Sequence, residues 1–159
     1  MVTTVPFANV VYDSAREVFE SMVFMPIEKP GEAARDLDDV TLLATITFRG
    51  HLEGCFHLRC GRSGAAAVAA NMLCMDSTEA LSDDDVSDAI GEIANMIMGS
   101  VKTRIQDKIP NLEISIPSVV EGRQIRNRPG ESMARVAVDV SIGHEHRAEL
   151  SLLYREGNG

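Results

Sequence analysis

SDDDVSDAIGEIANMIMGSVKTRIQDK, residues 82–108 of a 159-residue chain, decides the fold, because it reads as one long helix with a marked start, a marked end and two unlike faces. Ser82 followed three residues later by Asp85 has the pattern of a capping box, and Asp83 and Asp84 add negative charge where the helix macrodipole favours it. Lys102, Arg104 and Lys108 gather at the other end, and Pro110 stops the helix. Val86, Ile90, Ile93, Ala94 and Ile97 recur at helical spacing and form an apolar face. On the opposite side, at about 100° of rotation per residue, Asp88, Glu92 and Asn95 fall within a sector roughly 60° wide. A carboxylate and a carboxamide one turn apart can hold a water and a cation between them.

The pattern occurs once before. Shifting the chain by 75 residues lays Asp13, Glu17 and Glu20 on Asp88, Glu92 and Asn95, and Phe24 on Gly99. The apolar faces align too: Val11, Ala15, Val18, Phe19 and Met22 fall on Val86, Ile90, Ile93, Ala94 and Ile97. Residues 8–24 therefore read as a first helix. The loop IEKPGEAARDLDD follows, too charged and too broken by Pro30 and Gly31 to pack. VTLLATITF and HLEGCFHLR, joined at Arg49 and Gly50, read as a hairpin over residues 40–59. Gly61 to Met75 is an alanine-rich helix expected to lie buried on the sheet. After the long helix, LEISIPSVV, SMARVAVDVSI and HEHRAELSLLY form a second block of strands, the last two joined at Gly143.

These elements predict an α+β fold in a single domain over residues 1–159. Two pseudo-repeated helix-plus-strands halves, at 8–75 and 82–155, share a mostly antiparallel sheet of about five or six strands with helices packed on it. Composition narrows the function. A net charge of −9 supplies no basic face for phosphate neutralisation, so nucleic acid and anionic membranes are excluded as expected partners. No run of 18 apolar residues occurs, and MVTTVPFANV has no signal-peptide pattern. Cys55, Cys60 and Cys74 are odd in number and lack a familiar metal-binding spacing, which points to reduced thiols in the cytoplasm. Seven aromatic residues, none of them Trp, are too few for stacking platforms. Arg123, Arg126 and Arg128 in the loop GRQIRNRPG are the one concentration of positive charge, either a solvated hairpin loop or a contact for an acidic partner.

Any amphipathic surface helix has a polar face, so the stripe at Asp88, Glu92 and Asn95 needs a further reason to be read as a site. Gly91 and Gly99 supply one. Each lies on or beside that face and costs about 1 kcal/mol against Ala in a helix, which suits close approach by a partner. The pattern Asp-x3-Glu-x2-Asn-x3-Gly on a helix, with a degraded copy half a chain earlier, resembles the CheC/CheX/FliY phosphatases of bacterial chemotaxis. The single good motif, the length and the helix-first order are most similar to CheX.

That resemblance implies a CheC-like fold and a substrate, the phosphoaspartate of a response-regulator receiver domain such as CheY. It implies that Asn95 orients the attacking water and that Glu92 pairs with the receiver's lysine. Asp88, Gly91 and Gly99 would then serve docking. Magnesium is expected in the receiver's acidic pocket, with no cofactor bound by this chain, and a homodimer is expected by the same likeness. Glu20 in place of the amide would repel a phosphoryl group, so the first helix is expected to be inactive. The alternative is a non-catalytic module of the same fold that binds a receiver without hydrolysing anything. A serine hydrolase is not expected, since no Gly-x-Ser-x-Gly elbow occurs and Ser63 lacks evident partners. His144 and His146 could face one side of a strand as metal ligands, but they flank the Gly143 turn, as His51 flanks another, and exposed turn histidines are the plainer explanation.

Overall fold

The computed structural model describes residues 4–29, 40–123, 125 and 133–158. Its elements run α1 (Phe7–Val18), β1 (Ile27–Glu28), β2 (Val40–Arg49), β3 (Leu52–Gly61), α2 (Arg62–Met72), α3 (Asp83–Ile105), β4 (Glu113–Ile114), β5 (Ser118–Arg123), β6 (Ala134–Ile142) and β7 (His146–Glu156). The strands form one antiparallel sheet in the order β1-β6-β7-β3-β2-β4, with β5 also paired to β2. Among the described residues there are seven strands where five or six are expected from the sequence. The additional ones come from Ile27–Glu28, hidden in the charged loop, and from the division of LEISIPSVV between β4 and β5.

The order reads the same from either end. The hairpins β2–β3 and β6–β7 meet at the centre, where Phe56 pairs with Leu152 and Leu58 with Leu150. Each half then adds a strand outside the other half's hairpin: β1 from the first half joins β6, and β4 and β5 from the second join β2. The two-fold repeat seen in the sequence is thus an exchange of edge strands.

Alternation along the strands sends Leu42, Ala44, Ile46, Phe48, Phe56, Leu58, Leu150 and Leu152 into one core with the helices. From α3 that core receives Val86, Ile90, Ile93, Ala94 and Ile97, the face expected from periodicity. Ser82 caps α3 as its sequence predicts, accepting from the Asp85 amide at 3.0 Å while the Asp85 carboxylate accepts from the Ser82 amide at 3.0 Å. Helices α1 and α3 pack antiparallel: the Lys108 ammonium donates to the Thr4 carbonyl, and Arg104 reaches Glu17.

One departure matters for the site. After Val18 the first helix continues as a π-helical turn over Phe19–Val23 and ends at Phe24, which is left-handed with φ 61°. The wider turn shifts the buried face by one residue, so Val23 enters the core and Met22 is left 45% exposed. The expected equivalence of Met22 with Ile97 therefore fails, and Phe24 does not occupy the place of Gly99. It lies just beyond the end of its helix and is 66% exposed.

Candidate functional site on α3

α3 lies between α1 on one side and the β4–β5 segment on the other, with Asp88, Glu92 and Asn95 facing outward. Asp88 and Glu92 are exposed and Asn95 is half-buried. None of the three side chains makes a hydrogen bond or ion pair within the described residues. Two of the three corresponding groups of the first helix are engaged. Glu17 accepts from Arg104 at 2.5 Å, and Glu20 accepts from Arg16 at 3.0 Å. Two arginines thus engage the positions that match Glu92 and Asn95, which stay open on α3.

The two glycines turn out to differ. A Cβ on Gly91 would stand 3.3 Å from Val119 Cγ2 and 3.6 Å from two Pro117 atoms, and the residue is buried. Its expected place on an open face is corrected: packing against β5 explains Gly91, and no partner is needed to account for it. At Gly99 a Cβ would meet nothing within 4 Å. Gly99 borders an open groove of about 500 Å³ between α1 and α3, together with Met22, Met96 and Arg104. The stripe therefore runs from an exposed acid, past a half-buried amide, into an unfilled groove.

Other residues singled out in the sequence do not converge on this site. Arg123 ends β5, while Arg126 and Arg128 lie outside the described residues. His144 is left-handed and bonded to Glu28, whereas His146 starts β7 with its Cβ against Gly64. Among the described residues, no three His, Cys, Asp or Glu side chains gather as a metal-binding group.

The far face of the sheet carries a polar set not anticipated from the sequence, although alternate residues of one strand share a face. His57 is buried there, with Thr45 Oγ1 at 3.0 Å from Nδ1 and Cys55 Sγ at 3.2 Å from Nε2. Burial lowers the His57 pKa, with a further push from the Arg135 charge, and burial raises that of Cys55. The pair is therefore a thiol beside a neutral imidazole, without the thiolate a cysteine nucleophile requires.

A family model described as the chemotaxis phosphatase CheX matches residues 42–141, which include the whole α3 stripe and leave out α1. Solved structures share the fold across nearly the whole chain. CheX from Vibrio vulnificus superposes with a TM-score of 0.76 at 20% identity, covering 95% of this chain and 97% of its own. CheX from Desulfovibrio desulfuricans gives 0.75 at 21%, covering 94% and 99%. The Borrelia burgdorferi CheX–CheY–BeF3–Mg2+ complex gives 0.72 at 20%, covering 93% and 97%. No curated protein sequence is significantly similar to the chain. No described helix is long and apolar enough to cross a membrane. With most of its length matched by the family model, and with the antiparallel sheet and helix layer of the solved relatives, the chain belongs to the CheX family of chemotaxis phosphatases.

Proposed function

We propose that this protein hydrolyses the phosphoaspartate of a CheY-like receiver domain in the cytoplasm, using one site per chain on α3. The observation that carries this is the contrast between the helices: among the described residues Glu92 and Asn95 are unengaged on an accessible face, while Glu17 and Glu20 are both held by arginines.

An acyl phosphate is already activated, so the task is to place water in line with phosphorus and let the carboxylate leave. The Asn95 carbonyl accepts a hydrogen bond from the attacking water, and its NH2 donates toward a phosphoryl oxygen, with no negative charge added beside the anion. The water oxygen bonds to phosphorus and the phosphorus–carboxylate bond breaks. The products are aspartate and inorganic phosphate, which takes up the water's proton. Glu92 presents its charge to the receiver's lysine, and Asp88, one turn earlier, supports docking. Magnesium belongs to the receiver's own acidic pocket. Gly99 leaves room for the approach. A homodimer is part of the proposal, with β6 as the physical route. Among the described residues β1 pairs only with Ser141 and Ile142, leaving the outer edge of Ala134–Val140 without a neighbouring strand.

The test is to charge a receiver domain with a small-molecule phosphodonor and follow its decay alone, with this protein, and with the Asn95→Ala and Glu92→Ala variants. Acceleration by the parent protein and its loss in both variants is expected. Unchanged decay across several receivers, with binding retained, would leave a receiver-binding module in place of a phosphatase.

A further inference from the structure

A one-residue mismatch in the sheet edge leaves an apolar side chain exposed on the strand segment that flanks the candidate site. Phe48 of β2 pairs with Ile114 and Thr45 pairs with Ser118, so the two residues between them on β2 face three on the outer strand. The extra residue is a bulge at Ser115–Pro117, of the kind that resets the alternation of side chains and redirects one of them. Ile114 and Val119, on either side of it, both pack toward the helix layer, and Pro117 lies 3.6 Å from the Cβ position of Gly91. Ile116 is the residue left over. It is 86% exposed, the highest value among the large apolar side chains that remain accessible.

Its level along α3 follows from two fixed points. Arg62 bonds both Asp83 and Glu121, and Pro117 lies against Gly91. Four strand residues at about 3.3 Å each and eight helix residues at about 1.5 Å each cover nearly the same distance, so the strand runs alongside the helix in the opposite sense. One residue beyond Pro117, Ile116 is level with the turn Glu92–Asn95. On the other flank of α3, the open groove at Gly99 is walled by Met22, 45% exposed because of the π-helical turn, and by Met96. Two irregularities of the backbone, the bulge and the π turn, thus leave an apolar side chain on each flank of α3, one level with Glu92–Asn95 and the other at the groove that begins beside it at Met96 and Gly99.

Resting on the function proposed above, we propose that Ile116 and Met22 are apolar anchors that seat a phosphorylated receiver domain astride Glu92 and Asn95, and so set affinity and partner choice without taking part in the chemistry. The receiver is the occupant because both side chains flank α3 within about a turn of Glu92 and Asn95, the groups that the proposed function brings against its phosphoaspartate. An apolar rim around a polar centre suits a surface that excludes water while charges meet inside it. Methionine walls, which adapt in shape, suit a partner bound and released repeatedly.

The experiment uses the full-length protein and a CheY-type receiver charged with beryllofluoride and Mg2+. Binding is read by titration calorimetry, and KM and kcat are read separately on the phosphorylated receiver. Ile116→Asp and Met22→Ser alter exposed side chains, and circular dichroism checks that both variants fold. Each is expected to raise Kd and KM about tenfold or more with kcat within about twofold, a difference near 1.4 kcal/mol per tenfold change. Unchanged Kd and KM in both variants, beside a parent protein that is active, overturn the anchors and leave the phosphatase standing. An inactive parent whose binding is weakened by Ile116→Asp sinks the phosphatase and supports the anchors. A parent that neither binds nor hydrolyses overturns both. Ile116→Asp converting a dimer to a monomer with receiver affinity intact assigns the patch to a second copy and overturns the proposal.

Discussion

Replacing Gly99 by alanine separates the demands of folding from those of docking at one atom. Gly99 lies in the interior of α3, between Asp83 and Ile105, and a Cβ there meets nothing within 4 Å. The substitution removes the conformational freedom of glycine without any opposing contact, so it should stabilise the protein by about 0.5–1 kcal/mol. For a chain of this length that raises Tm by about 2–4 °C. Gly91→Ala is the internal control. It gains the same helix propensity, but its Cβ stands 3.3 Å from Val119 Cγ2, and the strain should cancel most of the gain. Thermal and urea unfolding followed by circular dichroism measure both. Receiver dephosphorylation by Gly99→Ala should fall even as stability rises, and Gly99→Leu should fall further, because the added atoms enter the space a partner uses. A destabilised Gly99→Ala would refute the open geometry. A fully active Gly99→Leu would refute the idea that the space serves docking.

Ile93 is fully buried beneath the polar turn, so Ile93→Ala should cost about 2–5 kcal/mol in a denaturant titration. His57 titrates below its ordinary value in the folded chain, so the unfolded chain binds the proton first as pH falls. Its contribution is therefore intact above about pH 6.5 and is lost as pH drops through the folded value. The denaturation midpoint should fall on acidification from neutral pH, and fall less in a His57→Gln variant. Of the three thiols, Cys74 is exposed, Cys60 is buried and Cys55 has a raised pKa, so a thiol reagent at mildly alkaline pH should modify Cys74 first. The other two should follow only as the protein unfolds.

The capping box of α3, its apolar face and the β2–β3 and β6–β7 hairpins were legible because each is fixed by residues close in sequence. Ser82 and Asp85 are three apart, and strand alternation is local. Gly91 was misleading for the opposite reason. Its neighbours Pro117 and Val119 lie far along the chain, and a helical wheel sets Gly91 only about 40° outside the stripe, with no sign of what packs there. The π turn was likewise hidden, because nothing in FESMV announces it. It reconciles the burial of Phe19 with that of Val23, a choice made by the core as a whole. β1 contributes only two residues and exists because β6 offers an edge to pair with. At the site, sequence alone distinguished Asn95 from Glu20. The pairing of Glu17 with Arg104 needed α1 and α3 side by side.

A comparison of Asn95→Ala with Glu20→Ala in one dephosphorylation assay tests the central claim most directly. If α3 alone carries the chemistry, Asn95→Ala loses at least ~10²-fold in rate. Glu20→Ala, which only breaks an exposed pair with Arg16, should stay within about twofold of the parent protein. Equal losses in the two variants, or an undiminished Asn95→Ala, would contradict a single water-positioning amide on α3.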